Sequence, residues 1–255
     1  MLLLFAKQFV IITENIKGYC ALRRWTVNGF QTFWNGLDWT VLRDMLVSVI
    51  PALVCITLHE LAHGFVAWKM GDDTAKAAGR LTLNPIKHID IMGLIMMIVF
   101  RFGWAKPVPV NMAKFKNPKL GMAVCAAAGP LCNIVLCAFL LLVYGFIFLP
   151  LTRIGTEWAF IVLQTVEVTA YLSLALAVFN IIPISPLDGS KVLFSFLKPK
   201  QYSWLMHFER YGMIVLLVLM FTNILDAPLA SVTGWLYDRF FFIAEMSFSL
   251  AQNIF

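Results

Sequence analysis

Charge is scarce in this 255-residue chain: Asp, Glu, Lys and Arg together make up 13% of it. A soluble domain carries about 25% charged and about 45–50% apolar residues, whereas 60% here are hydrophobic. That deficit excludes an ordinary water-soluble globule and marks an integral membrane protein. The net charge is +6, yet no basic run is interleaved with aromatics, so nucleic acid is not an expected partner. Cys20, Cys55, Cys125, Cys132 and Cys137 lie mostly in apolar segments, and no pair has C-x-x-C spacing. They argue neither for disulfides nor for a cysteine-built metal site. Repeats and low-complexity tracts are missing, and the chain has no room for a large soluble module.

What is present is a set of apolar runs, read as an all-α polytopic membrane protein, a bundle of about 4–6 transmembrane helices. Residues 1–13 are apolar but short for a span, and Lys7 interrupts them. Together with the aromatic, basic stretch that follows, they suggest an N-terminal short or interfacial membrane segment over 1–44. Spans are expected over about 45–70, 120–149, 158–182 and 211–225, the last followed by an amphipathic tail. Gly129-Pro130 is expected to interrupt the second. Between the first two, residues 91–102 are apolar but too short to cross. Arg80-Leu-Thr-Leu83 and Trp104 to Val110 read as extended, which predicts a re-entrant or β-hairpin segment around 79–110. The catalytic core is placed at 45–190, and a C-terminal helix and tail at 191–255.

Lys69, Lys76, Arg80, Lys87, Arg101, Lys106, Lys114, Lys116 and Lys119 outnumber Asp72, Asp73 and Asp90 in the long connection. By the positive-inside rule this connection and the basic loop at 183–210 are cytoplasmic. Lys7, Lys17, Arg23, Arg24 and Arg43 fit that orientation if the first 44 residues hold a further crossing.

The first span contains His59-Glu60-Leu61-Ala62-His63. Residues i and i+4 share a helix face, so both imidazoles can be directed at one metal ion, with Glu60 beside them to hold water and shuttle its proton. Ionisable groups inside a membrane helix are expensive unless they function, and histidines bonded to backbone would not account for the glutamate. On this helix they lie on the order of 10–16 Å from its C-terminal end, below the membrane surface but nearer one face. Cys55, one turn earlier, is an alternative ligand, although buried cysteine usually acts as a small hydrophobe.

A catalytic zinc takes three protein ligands and leaves a position for water. His88 and His207 lie in basic loops, and Glu167 is read as part of a polar face toward the external surface. Asn180 to Gly189, unwound by Pro183 and Pro186, is the better donor through Asp188, since broken helices at membrane depth line cavities or protein interior. Asp188 could equally cap a segment starting near Ser190; physics alone leaves both readings standing.

His59 to His63, Gly129-Pro130-Leu131-Cys132-Asn133 and Asn180 to Gly189 resemble the signature set of the site-2 protease family of intramembrane zinc metalloproteases. Arg80 to Asp90 also resembles a loop of that family. The likeness covers about 45–190, and the absence of a PDZ-sized insertion resembles the compact, PDZ-free group. It implies one Zn2+ per chain held by His59, His63 and Asp188, with Glu60 as general base and acid. It also implies Asn133 and Asn180 near the substrate, and substrates that are transmembrane segments of other proteins in the lipid bilayer. The expected location is the cell membrane, with the active site toward the cytoplasm. Two other readings use the same residues: a membrane zinc transporter or metal-binding protein, and a membrane-anchored H-E-x-x-H peptidase with a cytosolic-facing site.

Overall fold

A computed structural model describes residues 39–92, 105–197 and 211–254, with side chains placed from 49 onward. The segment 1–38, the apolar stretch at 93–104 and His207 lie outside the described residues. Helix α1 spans Trp39–Lys69. It ends where the Gly71 N–H reaches the Trp68 carbonyl at 3.1 Å and the Asp72 N–H reaches that of Ala67 at 2.9 Å, a glycine-based C-terminal cap. A short turn, α2 (Thr74–Ala77), follows.

Helix α3, Pro118–Ile154, is 37 residues long. Asn117 caps it, accepting from the Leu120 N–H at 3.3 Å, and Pro118 occupies the first turn, where a missing N–H costs nothing. Helix α4 (Glu157–Ile181), capped by Thr156, follows α3 after two intervening residues. Then come α5 (Asp188–Phe196), α6 (Tyr211–Phe221) and α7 (Asp226–Gln252).

Among the described residues, three helices are long and apolar enough to cross a membrane, or four if the bent pair α6–α7 is one span. This is an all-α membrane protein. No named strand occurs among the described residues, and the hairpin expected around 79–110 reduces there to one antiparallel bridge between Ile89 and Ala105. Thr82 and Leu83 form a bend, leading into a 3-10 turn at Pro85–His88.

Helix α3 is central and packs against α1, α4, α5 and α7. Its outward stripe, Leu131, Val135, Phe139 and Leu142, is exposed, as suits a face meeting lipid tails. Its inward residues Cys137 and Leu141 pack with Ala170 and Leu174 of α4 and Ala244 of α7. Cys55 and Ile56 of α1 meet Val168, Leu172 and Leu176 of α4. The second span is not interrupted: α3 continues through Pro130. Neighbouring helices can re-satisfy the backbone groups that a membrane-embedded proline frees.

Candidate metal centre

The period of α1 stacks His59 and His63 on one face, and their Nε2 atoms lie 3.0 Å apart. The chain returns to this point 125 residues after His63. Helix α4 stops at Ile181, Pro183 and Pro186 prevent its continuation, and Asp188 becomes the first residue of α5. Its Oδ2 lies 3.0 Å from His59 Nε2 and 3.1 Å from His63 Nε2. Asp188 therefore does not cap α5; its carboxylate faces the imidazoles. All three groups are at most 8% exposed, and their ligand atoms lie within 4.8 Å of one another.

The donor chemistry fits a tetrahedral cation. His63 Nδ1 sits 2.8 Å from the Cys125 carbonyl, which can only accept, so Nδ1 carries the proton and Nε2 the lone pair. His59 Nδ1 lies 3.3 Å from the Asn133 side-chain amide. Asn133 Oδ1, buried and otherwise without a partner, satisfies that ring N–H when the amide is turned toward it. In these neutral tautomers two imidazole lone pairs and a carboxylate oxygen converge on one point, a donor set suited to a cation. Ligand atoms around tetrahedral zinc are about 3.3 Å apart, slightly wider than the separations here. His59, His63 and Asp188 are thus the described residues able to hold it.

Helix α3 comes in close. A Cβ built on Gly129 would lie 2.5 Å from His63 Nε2 and 2.6 Å from His59 Cε1. The Gly129-Pro130 pair is thus explained by close approach to the histidines rather than by a helix break.

Glu60 is buried, 5% exposed, and its Oε2 accepts the Val108 N–H at 3.0 Å. Val108 sits in the proline-rich segment whose sequence predicts extended chain. Asn133, fully buried, contacts His59. Asn180 is buried at the end of α4, but its amide donates to the Leu176 carbonyl one turn back at 2.9 Å; no hydrogen bond joins it to the cluster.

The other candidates point elsewhere. Cys55 Sγ turns to the Thr169 carbonyl at 3.6 Å. His88 is buried with Nε2 2.9 Å from the Thr82 carbonyl, and Glu167 hydrogen-bonds Tyr144. Beyond the spans, Asp72 is fully buried. Its carboxylate accepts the Thr74 N–H at 3.0 Å, the Thr74 hydroxyl, and the Asn111 N–H at 2.6 Å. Burial alone would push its pKa up; these hydrogen bonds outweigh it and hold the carboxyl below its ordinary value.

Residues 149–222 match the description "Peptidase family M50"; that stretch includes Asp188 and Asn180 but not the histidine pair. YwhC of Bacillus subtilis is 42% identical over 193 residues, covering 73% of this chain and 83% of that protein. Rip2 of Mycobacterium tuberculosis is 31% identical over 199 residues, covering 76% and 74%. Both relatives are provisionally named zinc metalloproteases. No solved structure matches. With similarity to YwhC running through most of both proteins, the chain belongs to peptidase family M50, the site-2 protease family whose motifs its sequence carries.

Proposed function

We propose that this protein is an intramembrane zinc metalloprotease, a regulated-proteolysis enzyme that hydrolyses peptide bonds in or near transmembrane segments of other membrane proteins. The observation that carries this reading is the convergence of His59 Nε2, His63 Nε2 and Asp188 Oδ2 within 3.1 Å, beside a buried glutamate. Zinc bound there supplies a Lewis acid for the scissile carbonyl and lowers the pKa of water to about 7. Glu60 takes a proton from the attacking water as its oxygen bonds to the carbonyl carbon. Glu60 then delivers that proton to the nitrogen as the C–N bond breaks. Asn133 holds the His59 ring in the tautomer that presents Nε2 and lies near enough to the site to offer an amide to the carbonyl oxygen. Asn180 is assigned to the substrate side, where its buried Oδ1 has no partner.

A transmembrane helix hides its carbonyls in internal hydrogen bonds, so the substrate must unwind before attack. The excess of Lys and Arg in the connections at 69–119 and 183–210 supports a multi-pass cell-membrane protein with this end toward the cytoplasm.

The test is incubation of purified protein with single-span peptides, comparing wild type with Glu60→Gln while counting bound zinc. Cleavage by wild type alone, with equal zinc in both, is expected. Equal cleavage by both rejects the mechanism, and full zinc occupancy with no cleavage by wild type favours zinc storage or transport.

A further inference from the structure

Glu60 is held by a stretch of main chain that has almost no regular structure of its own. Between residues 105 and 111 the backbone makes the bridge of Ala105 with Ile89, and Lys106 donates to the His88 carbonyl at 3.0 Å. Side chains place the rest. Asp72 accepts the Asn111 N–H at 2.6 Å, and the missing side chain of Gly64 admits Leu81 and Val108. A Cβ there would lie 2.8 Å from Leu81 Cδ2 and 3.0 Å from Val108 Cγ1.

Arg80 supplies the remaining contact. Its Nη2 donates to the Lys106 carbonyl at 2.7 Å and the Pro107 carbonyl at 3.3 Å. The side chain is buried, its Nε has no partner, and no described carboxylate forms an ion pair with it. A buried guanidinium without a counter-ion is costly to maintain, so these two carbonyls are the contacts that account for it.

The Pro107 carbonyl and the Val108 N–H belong to one peptide unit, which is planar and rigid. Arg80 grips its oxygen end and Glu60 receives its hydrogen end. Pro107 and Pro109 have no N–H, so Val108 is the one amide donor among those three residues. A cation at the carbonyl also polarises the unit and strengthens its N–H as a donor.

We infer that Arg80 is a positioning residue for Glu60, acting through the Pro107–Val108 peptide. The inference rests on the assignment of Glu60 as the proton-transfer group. Because both carbonyl contacts come from one nitrogen, a lysine ammonium can replace them, whereas methionine cannot.

The test measures kcat and KM on a single-span substrate, with zinc content, for wild type, Glu60→Gln, Arg80→Met and Arg80→Lys. A fifth protein carries the α-hydroxy acid analogue of valine at 108, which removes that N–H and leaves the side chain. Displacing a reacting group by about 1 Å can cost about a hundredfold. Arg80→Met and the ester are therefore expected to lose roughly tenfold or more in kcat, with KM and zinc content unchanged. Arg80→Lys should recover most of that loss. An ester variant at wild-type kcat overturns the inference even if Arg80→Met fails to fold. A loss carried by KM or zinc content overturns it too, as does Arg80→Lys behaving like Arg80→Met. Glu60→Gln cleaving as fast as wild type refutes the parent reading, and this inference with it; an inactive Glu60→Gln beside an unaffected ester refutes this inference alone.

Discussion

Replacing Gly129 with alanine adds one methyl group at the most crowded point of the metal centre. The new carbon would lie 2.5 Å from His63 Nε2 and 2.6 Å from His59 Cε1, where ordinary contact begins at about 3.4 Å, so roughly 0.9 Å must be found by movement. Little can give. Gly129 is deep inside the 37-residue helix α3, and His63 is tied through Nδ1 to the same helix at Cys125. Forcing extra volume into a packed interior costs about 1–3 kcal/mol. Taken against metal binding, that is roughly 5–150-fold weaker zinc affinity. Chelator competition on purified protein reads the affinity, and mass spectrometry the stoichiometry. Gly234→Ala is the control, because a Cβ there meets nothing within 4 Å; it should leave affinity unchanged while improving helix propensity by about 0.5–1 kcal/mol. If Gly129→Ala binds zinc as tightly as wild type, then α3 is not seated against the histidines as described, and the ligand geometry falls with it.

Other outcomes follow from the same contacts. Asp188→Ala should lose stoichiometric zinc while the helical circular dichroism signal persists; retention of zinc would place the third ligand elsewhere. Asp72→Asn presents an amide N–H where Asp72 accepts two backbone donors, and should destabilise by about 1–3 kcal/mol, measured by thermal unfolding in detergent. Asp72's folded pKa is depressed, so its contribution is fully present above the ordinary carboxylate value near 4 and is lost as pH falls through the folded pKa. The gap between wild type and Asp72→Asn should therefore close in acid, and a gap that widens there would contradict this account. Soaking active protein with a strong chelator should abolish cleavage and readded zinc restore it; activity surviving complete zinc removal would refute metal-dependent hydrolysis.

The parts of this molecule legible in sequence are those governed by local periodicity and composition. Spacing of i and i+4 put His59 and His63 on one face, and long apolar runs marked the spans. Asp188 was a different matter. It is 129 residues from His59 in sequence, and no local rule separates a carboxylate capping a helix from one turned inward; only likeness to a family favoured the second. Gly129-Pro130 misled local reasoning because proline breaks helices in water, whereas in an apolar bundle the helix runs on and the glycine serves its neighbours. Pro107-Val108-Pro109 was correctly read as non-helical, yet nothing in residue type announces that its single amide points at Glu60. Arg80 opens the loop that resembles the family's, yet residue type does not tell what its side chain holds, since exposure is the default for arginine. Among the described residues, the stretch expected to form a hairpin shows one bridge rather than a ladder, because main-chain groups there are taken by Asp72, Arg80 and Glu60 side chains and the His88 carbonyl.

The tie between His63 and the carbonyl of Cys125 belongs to a class of interaction that alanine scanning is blind to. Every amino acid carries that oxygen, so Cys125→Ala or Cys125→Ser would leave the imidazole anchored and would report only on the thiol's separate contact with the His63 carbonyl at 3.3 Å. Drift at 125 is limited by that thiol contact and by the available volume, not by the oxygen that anchors the ring. Inventories of essential residues built from side-chain swaps would thus undercount what holds this centre together.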